Sequence, residues 1–192
     1  MCGHECVSIG SDLRLGVNRF TTIGNDFPKV FKINNKCFFG SSGLATDIQS
    51  ILKELKFKIK IFELEQERDI GIQSLGHVVA NMLYSRRFGP WFISPIVAGL
   101  DDKNRPFISS YDLIGAPSDS DDFVVSGSCS DQLFGICESL HHSGMNEDEL
   151  FETTSQCLLA GLDRDCLSGW GAVVHVITPK KIITKTIQTR MD

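Results

Sequence analysis

The sequence lacks the features of membrane, secreted and nucleic-acid-binding proteins. No stretch approaches the roughly 20 consecutive apolar residues that a membrane helix needs. Basic residues are not in excess, because the net charge is -5, so the composition gives no attraction to a phosphate backbone. The first five residues contain no apolar run, and we therefore expect no signal peptide.

Paired cysteine motifs are also missing. The seven cysteines are an odd number and none forms a CxxC pair, so we expect reduced thiols in a protein of the cytoplasm and nucleus. Cys2, His4 and Cys6 would share one face of a strand, but no fourth ligand lies nearby in the sequence. We do not favour a zinc site there, and we expect most of the remaining cysteines to be small buried hydrophobic side chains.

Two pairs of amphipathic helices are predicted. Apolar residues recur with a helical period over residues 44–62 and again over 72–87. A third helix is predicted around 133–140. A fourth begins at Asn146, which lies three residues before Glu149 in the pattern of a capping box, and it continues to residue 162.

The remaining apolar segments read as strands, and residues 40–43 are expected to interrupt them. Strands are predicted at residues 6–11, 30–33, 37–39, 96–100, 106–108, 111–114, 123–125, 172–177 and 182–187. Single βαβ units do not repeat, which argues against a doubly wound sheet. The order instead predicts one α+β domain over residues 1–192, with two facing sheets and a helix pair on each outer face.

Short motifs spread over nearly the whole chain match a single family in order and spacing. They occupy residues 11–14, 29–30, 43–47, 98–101, 126–128 and 163–169. The chain thereby resembles the beta-type subunits of the proteasome, in the N-terminal nucleophile hydrolase superfamily. Longer stretches, such as residues 26–31, 111–115 and 122–127, are most similar to the third beta type, which is non-catalytic. The resemblance implies a four-layer αββα sandwich.

The resemblance also implies where a catalytic site would lie. Active members attack the peptide carbonyl with the hydroxyl of an N-terminal threonine, whose free amine acts as the base. The supporting positions of the family are matched by Asp12, Lys29, Ser128, Asp165 and Ser168, and the oxyanion-holding backbone N–H by Gly43.

The threonine itself has no counterpart, so no catalytic residue is expected. In active members it lies farther upstream of the matched aspartate than the eleven residues that precede Asp12 here. The start of the first strand is therefore expected to be missing, either because the protein is shorter or because residues precede Met1. The matched positions would then brace the fold, with an ion pair between Lys29 and Asp12 and a turn held by Asp165 and Ser168.

An active threonine- or cysteine-type amidase is the alternative, and Cys2 is its candidate nucleophile. Removal of Met1 would expose that thiol at the N-terminus. Cys2 nevertheless matches a position six residues along the strand, which is about 20 Å from the expected place of Lys29. Proton transfer needs hydrogen-bond distance, so we do not favour Cys2. A free-standing monomeric domain is a third hypothesis.

The resemblance implies a structural subunit of the 20S core in ubiquitin-dependent protein degradation. Its partners would be other beta subunits in a seven-membered ring, the alpha ring and the opposite beta ring. Asp112 is either a turn residue or part of the specificity pocket of a neighbouring trypsin-like subunit. Asp192 is either a frayed tail or a ligand of magnesium or calcium at a subunit contact, and no other cofactor is expected. Residues 88–92 pack either on a neighbour or in the core.

Overall fold

The computed structural model describes residues 1–18 and 20–191, and their elements have the predicted alternation of strand blocks and helix pairs. The strands are β1 Val7–Asp12, β2 Leu15–Val17, β3 Thr21–Gly24, β4 Val30–Lys32, β5 Cys37–Gly43, β6 Ile93–Leu100, β7 Pro106–Tyr111, β8 Pro117–Ser120, β9 Ala172–Ile177 and β10 Ile182–Ile187. The helices are α1 Ala45–Gln66, α2 Ile72–Tyr84, α3 Ser130–Leu140 and α4 Glu147–Leu162. Among the described residues, no helix is both long and apolar enough to cross a bilayer.

The elements stack in four layers. One antiparallel sheet has the order β4-β5-β6-β7-β8 and the other has the order β1-β9-β10, while β2 and β3 form a separate hairpin. Helices α1 and α2 pack on the five-stranded sheet, and α4 packs on β1 and β9 with α3 beside it. Strand β1 faces β4 to β7 of the other sheet. The predicted α+β sandwich with αββα layers is confirmed.

Three apolar layers fill the spaces between the four structural layers. In β5, Phe39 is buried against α1 and α2, whereas its neighbour Phe38 is buried between the two sheets. Successive strand residues point to opposite faces, so a strand covered on both sides needs apolar residues at every position. Val174 and Val176 of β9 complete the third layer, against α3 and α4.

The fourth helix begins as its sequence predicts. The Asn146 side chain accepts hydrogen bonds from the backbone N–H groups of Asp148 and Glu149, at 3.1 and 2.9 Å. The Glu149 carboxylate accepts the Asn146 backbone N–H at 3.0 Å, which completes a reciprocal capping box. This cap fixes the start of the helix whose far end carries the loop of residues 163–171.

Several predicted element boundaries were wrong, as three cases show. Residues 40–43 do not interrupt β5, because β6 pairs with this strand as far as Gly43 and supplies hydrogen bonds that local propensity does not encode. Residues 112–114 form a turn, and the edge strand is the polar β8, since a sheet edge tolerates proline and charge. Helix α2 ends at Tyr84, before Arg86 and Arg87.

The predicted strand over residues 123–125 is absent as well. Phe123 and Val125 pack against the core under α3 and α4, whereas Val124 packs between the sheets. Their apolar pattern therefore arises from burial on two sides of an irregular segment, without membership of either sheet.

Candidate functional site

Lys29 and Asp12 form a largely buried ion pair at the end of β1. The Lys29 Nζ lies 2.7 Å from Asp12 Oδ1, and the two side chains are 18% and 12% exposed. The same ammonium donates to the carbonyl oxygens of Asp12 and Arg14, at 3.2 and 3.0 Å. An ammonium has three protons, and these three acceptors account for all of them.

The second oxygen of the Asp12 carboxylate ties β1 to the loop after α4. Asp12 Oδ2 accepts the backbone N–H of Arg14 at 3.2 Å and that of Gly169 at 3.3 Å. One carboxylate thus joins the end of β1, the loop that carries Lys29 and the loop of residues 163–171.

Arg14 is a structural hub that the sequence analysis missed. Its side chain is buried and donates to the Leu167 carbonyl oxygen at 2.8 Å and to Thr22 Oγ1 at 2.9 Å. It therefore fastens the loop after α4 to β3. The sequence signal was the presence of Arg14 in the family motif of residues 11–14. An arginine that is buried must find several acceptors for its five N–H groups, so it joins several segments of the chain.

Asp165 accepts hydrogen bonds from the hydroxyl groups of both matched serines. Ser168 Oγ donates to Asp165 Oδ2 at 2.6 Å and Ser128 Oγ donates to the same oxygen at 2.5 Å, while Leu167 N–H donates to Oδ1. Burial alone would raise the pKa of the Asp165 carboxyl. These three hydrogen bonds and the Arg14 charge outweigh burial and hold the pKa below its ordinary value. The aspartate is therefore an acceptor that braces the loop.

Gly43 sits where only glycine fits. Its φ is +119°, and a Cβ atom there would lie 2.3 Å from the Phe92 carbonyl oxygen and 2.8 Å from Ile93 Cα. The constraint comes from the close approach of β6, and it holds without reference to catalysis.

The matched residues come together around one half-open cleft of about 780 Å³ beside β1. The family positions on its wall are Asp12, Lys29, Gly43, Ser128 and Ser168. Asp165 is not among the lining residues, but it accepts hydrogen bonds from the two serines that are. The structure thus assembles the frame implied by the resemblance, although these residues bond chiefly to one another and to the backbone.

Cys2, the candidate nucleophile of the amidase alternative, is buried. Its side chain belongs to the core between the two sheets, and the residue is 5% exposed. Burial raises the pKa of the Cys2 thiol to about 11. The thiol is therefore protonated at neutral pH, whereas the thiolate is the reactive form.

Among the described residues, Cys2, His4 and Cys6 form no metal-binding group. Within residues 1–18 and 20–191, no group of three or more histidine, cysteine, aspartate or glutamate residues could hold a metal ion. His4 is exposed, whereas Cys2 and Cys6 are buried. Asp192 lies outside the described residues, so its assignment as a ligand stays a prediction.

Asp112 lies on an exposed turn directly after β7. Its Oδ1 accepts the backbone N–H groups of Ile114 and Ala116, at 3.0 and 2.8 Å. Gly115 closes this turn with a positive φ, and its backbone packs against α2. One oxygen of Asp112 therefore stabilises the turn, which agrees with the alternative that Asp112 is a turn residue. These hydrogen bonds also fix the position of the carboxylate.

The sequence profile described as "Proteasome subunit" matches residues 1–177. The chain belongs to the proteasome subunit family. It is 52% identical over 193 residues to "Proteasome subunit beta type-3" of Dictyostelium discoideum, an alignment that covers 100% of this chain and 94% of that protein. It is 47% identical over 192 residues to "Proteasome subunit beta type-3-B" of Arabidopsis thaliana, with coverage of 100% and 94%.

The similarity extends to fungi. "Proteasome subunit beta type-3" of Saccharomyces cerevisiae is 44% identical over 193 residues, covering 100% of this chain and 93% of that protein. Relatives of the same type in an amoeba, a plant and a yeast support the function of a proteasome beta subunit over that of a separate amidase.

Proposed function

We propose that this chain is a non-catalytic beta subunit of the 20S proteasome core, in the position that type-3 subunits occupy. The observation that carries the proposal is the set of hydrogen bonds made by the Lys29 ammonium. All three of its ammonium protons have acceptors in Asp12 and the backbone, so the lysine serves the fold. The thiol of Cys2 is buried, and burial raises its pKa, which disfavours the reactive thiolate.

The retained polar residues have a structural reason to persist without catalysis. Removing one partner of a buried ion pair leaves the other charge without compensation, and this costs more than the pair contributes. Asp12 accepts a hydrogen bond from Gly169 in the loop of residues 163–171, and Asp165, within that loop, accepts hydrogen bonds from Leu167 and from Ser128 outside it. Their task in the proposed subunit is to keep that loop in one conformation.

The proposed partners are other beta subunits in a seven-membered ring, the subunits of an alpha ring, and the opposite beta ring. The proposed location is the cytoplasm and nucleus, where the particle would act in ubiquitin-dependent protein degradation. We further propose that Asp112 contributes negative charge to the trypsin-like pocket of a neighbour, where it would attract basic side chains. A magnesium or calcium ion bound through Asp192 at a subunit contact completes the proposal.

Isolation of the native particle tests this assignment. The tagged chain should elute by size exclusion in a particle of several hundred kDa, and metal analysis of that particle tests the Asp192 ion. Elution near 21.3 kDa, the mass of the single chain, refutes the ring assignment. A covalent probe for N-terminal nucleophiles should leave this chain unmodified while it labels the active subunits. Labelling of this chain would instead support the amidase alternative.

A further inference from the structure

The segment of residues 84–92 runs from the last residue of α2 to the start of β6 and holds a cluster of aromatic and arginine side chains. The Arg87 N–H donates to the Tyr84 carbonyl oxygen at 3.0 Å, and Gly89 N–H donates to that of Arg86 at 2.9 Å. At the far end, Phe92 N–H donates to Asp47 Oδ2 at 2.9 Å. These bonds fix the backbone, so the segment would lose little conformational freedom on binding.

The aromatic residues of this segment divide between the core and the surface. Trp91 packs against the apolar layer under α1 and α2. Phe88 is 93% exposed, Phe92 is 67% exposed and Tyr84 is 62% exposed. Several large apolar rings held outward on a rigid turn are typical of a protein interaction site.

Two arginines add charge to this surface. The Arg86 guanidinium lies 4.1 Å from the centre of the Trp91 ring, and that of Arg87 lies 4.8 Å from the centre of the Phe88 ring. Within the described part of the chain, neither arginine forms an ion pair. A guanidinium stacked on a ring keeps the N–H groups at its edge available, and a carboxylate is the planar acceptor that matches them.

We propose that residues 84–92 dock onto another subunit of the proteasome core, which offers an apolar pocket for Phe88 and carboxylates beside it for Arg86 and Arg87. The proposal rests on the proposed function. Charge defines the partner: the chain has a net charge of -5, yet this segment carries two arginines and no acidic residue. An acidic rim on the partner would therefore be complementary in charge to this segment.

Competitive incorporation tests the energetic part of the proposal. Each variant is expressed together with a differently tagged wild-type chain, and the ratio of the two is measured in the purified particle. We expect Phe88→Ala and Arg87→Glu to be depleted by roughly tenfold, as for central interface residues. The matched control is Arg68→Glu, because Arg68 is also exposed and stacked, at 5.1 Å from the Phe62 ring, but lies outside the segment. It should be incorporated like the wild type.

Photo-crosslinking tests the contact directly. A benzophenone amino acid replaces Phe88, the particle is purified and irradiated, and the cross-linked peptide is identified by mass spectrometry. A link to another subunit, at a site with apolar residues and an aspartate or glutamate, supports the proposal. An incorporated chain without such a link, or Phe88→Ala incorporated as well as wild type, overturns the docking surface alone. A wild-type chain absent from the particle refutes the proposed function instead.

Discussion

Replacing Lys29 with methionine removes the ammonium but keeps a long apolar stem of similar length. The substitution takes three hydrogen bonds from the end of β1 and leaves the Asp12 carboxylate largely buried beside an apolar side chain. A structural role predicts that this change lowers the free energy of unfolding, whereas a purely catalytic role predicts no such loss.

The magnitude can be bounded from the geometry. At the observed separation of 2.7 Å, the direct attraction between Lys29 and Asp12 is about 6 kcal/mol at an effective dielectric constant of about 20. Desolvation of both groups cancels much of it. Loss of one partner of a buried pair costs about 3–5 kcal/mol, and the residual exposure of both side chains reduces this, so we expect about 2–4 kcal/mol.

The assay is urea denaturation of the purified chain in a double-mutant cycle with Lys29→Met and Asp12→Asn. The two changes should cost less together than the sum of their separate costs, because the double variant leaves no buried charge without a partner. Lys60→Met is the matched control, since Lys60 pairs with Glu63 at 3.2 Å but is 68% exposed. Its cost should stay below about 1 kcal/mol.

A cost for Lys29→Met as small as that for Lys60→Met would refute the structural role. Strict additivity in the cycle would equally show that the two residues do not stabilise each other. The structural role would also be wrong if Lys29→Met left the stability unchanged but abolished labelling of this chain by an active-site probe.

Three further predictions concern single positions. Gly43→Ala should lower the free energy of unfolding by at least about 2 kcal/mol, because the positive φ is strained for alanine and the new Cβ would collide with the Phe92 carbonyl oxygen. Gly135→Ala is the control: its Cβ would lie in open space within α3, and it should raise the free energy of unfolding by up to about 1 kcal/mol. Asp165→Asn should lower the unfolding temperature at pH 7. Because the pKa of Asp165 is lowered in the folded state, the ionised carboxylate stabilises the fold above the ordinary value of 3.8, and this stabilisation is lost as the pH falls. The difference in unfolding temperature from wild type should therefore shrink from roughly pH 5 to pH 3. A difference that stays constant with pH would contradict this prediction. Asp112→Asn retains the Oδ1 acceptor of the turn, and should raise KM for basic substrates of the particle about two- to fivefold, whereas Asp119→Asn should not.

The elements that the sequence predicted well are those whose signal is local. The capping box of Asn146 and Glu149 formed as predicted because both partners lie within one helical turn. The residues of β9 and β10 were placed correctly because each is a short apolar or β-branched run between turn residues. The element order, read with no residue contacts, was enough to predict the sandwich.

The failures occurred where distant segments compete with local preference. Residues 40–43 read as a break because glycine and serine favour turns, yet β4 and β6 flank β5 and β6 pairs with it to its end. Residues 123–125 read as a strand, although burial on two sides produces the same apolar pattern. Arg14 was passed over because its acceptors at Thr22 and Leu167 come from separate parts of the chain.

The sequence alone thus determined the α+β class, the layer order and the residues that match the family's supporting positions, since periodicity and motif spacing are properties of the chain. Only the tertiary structure decided what those residues do. Lys29 has three acceptors from β1 and the loop after it, and Asp165 receives hydroxyl groups from residues 3 and 37 positions away. Whether a lysine or a carboxylate is free to react depends on which partners occupy its hydrogen bonds, and folding sets those partners.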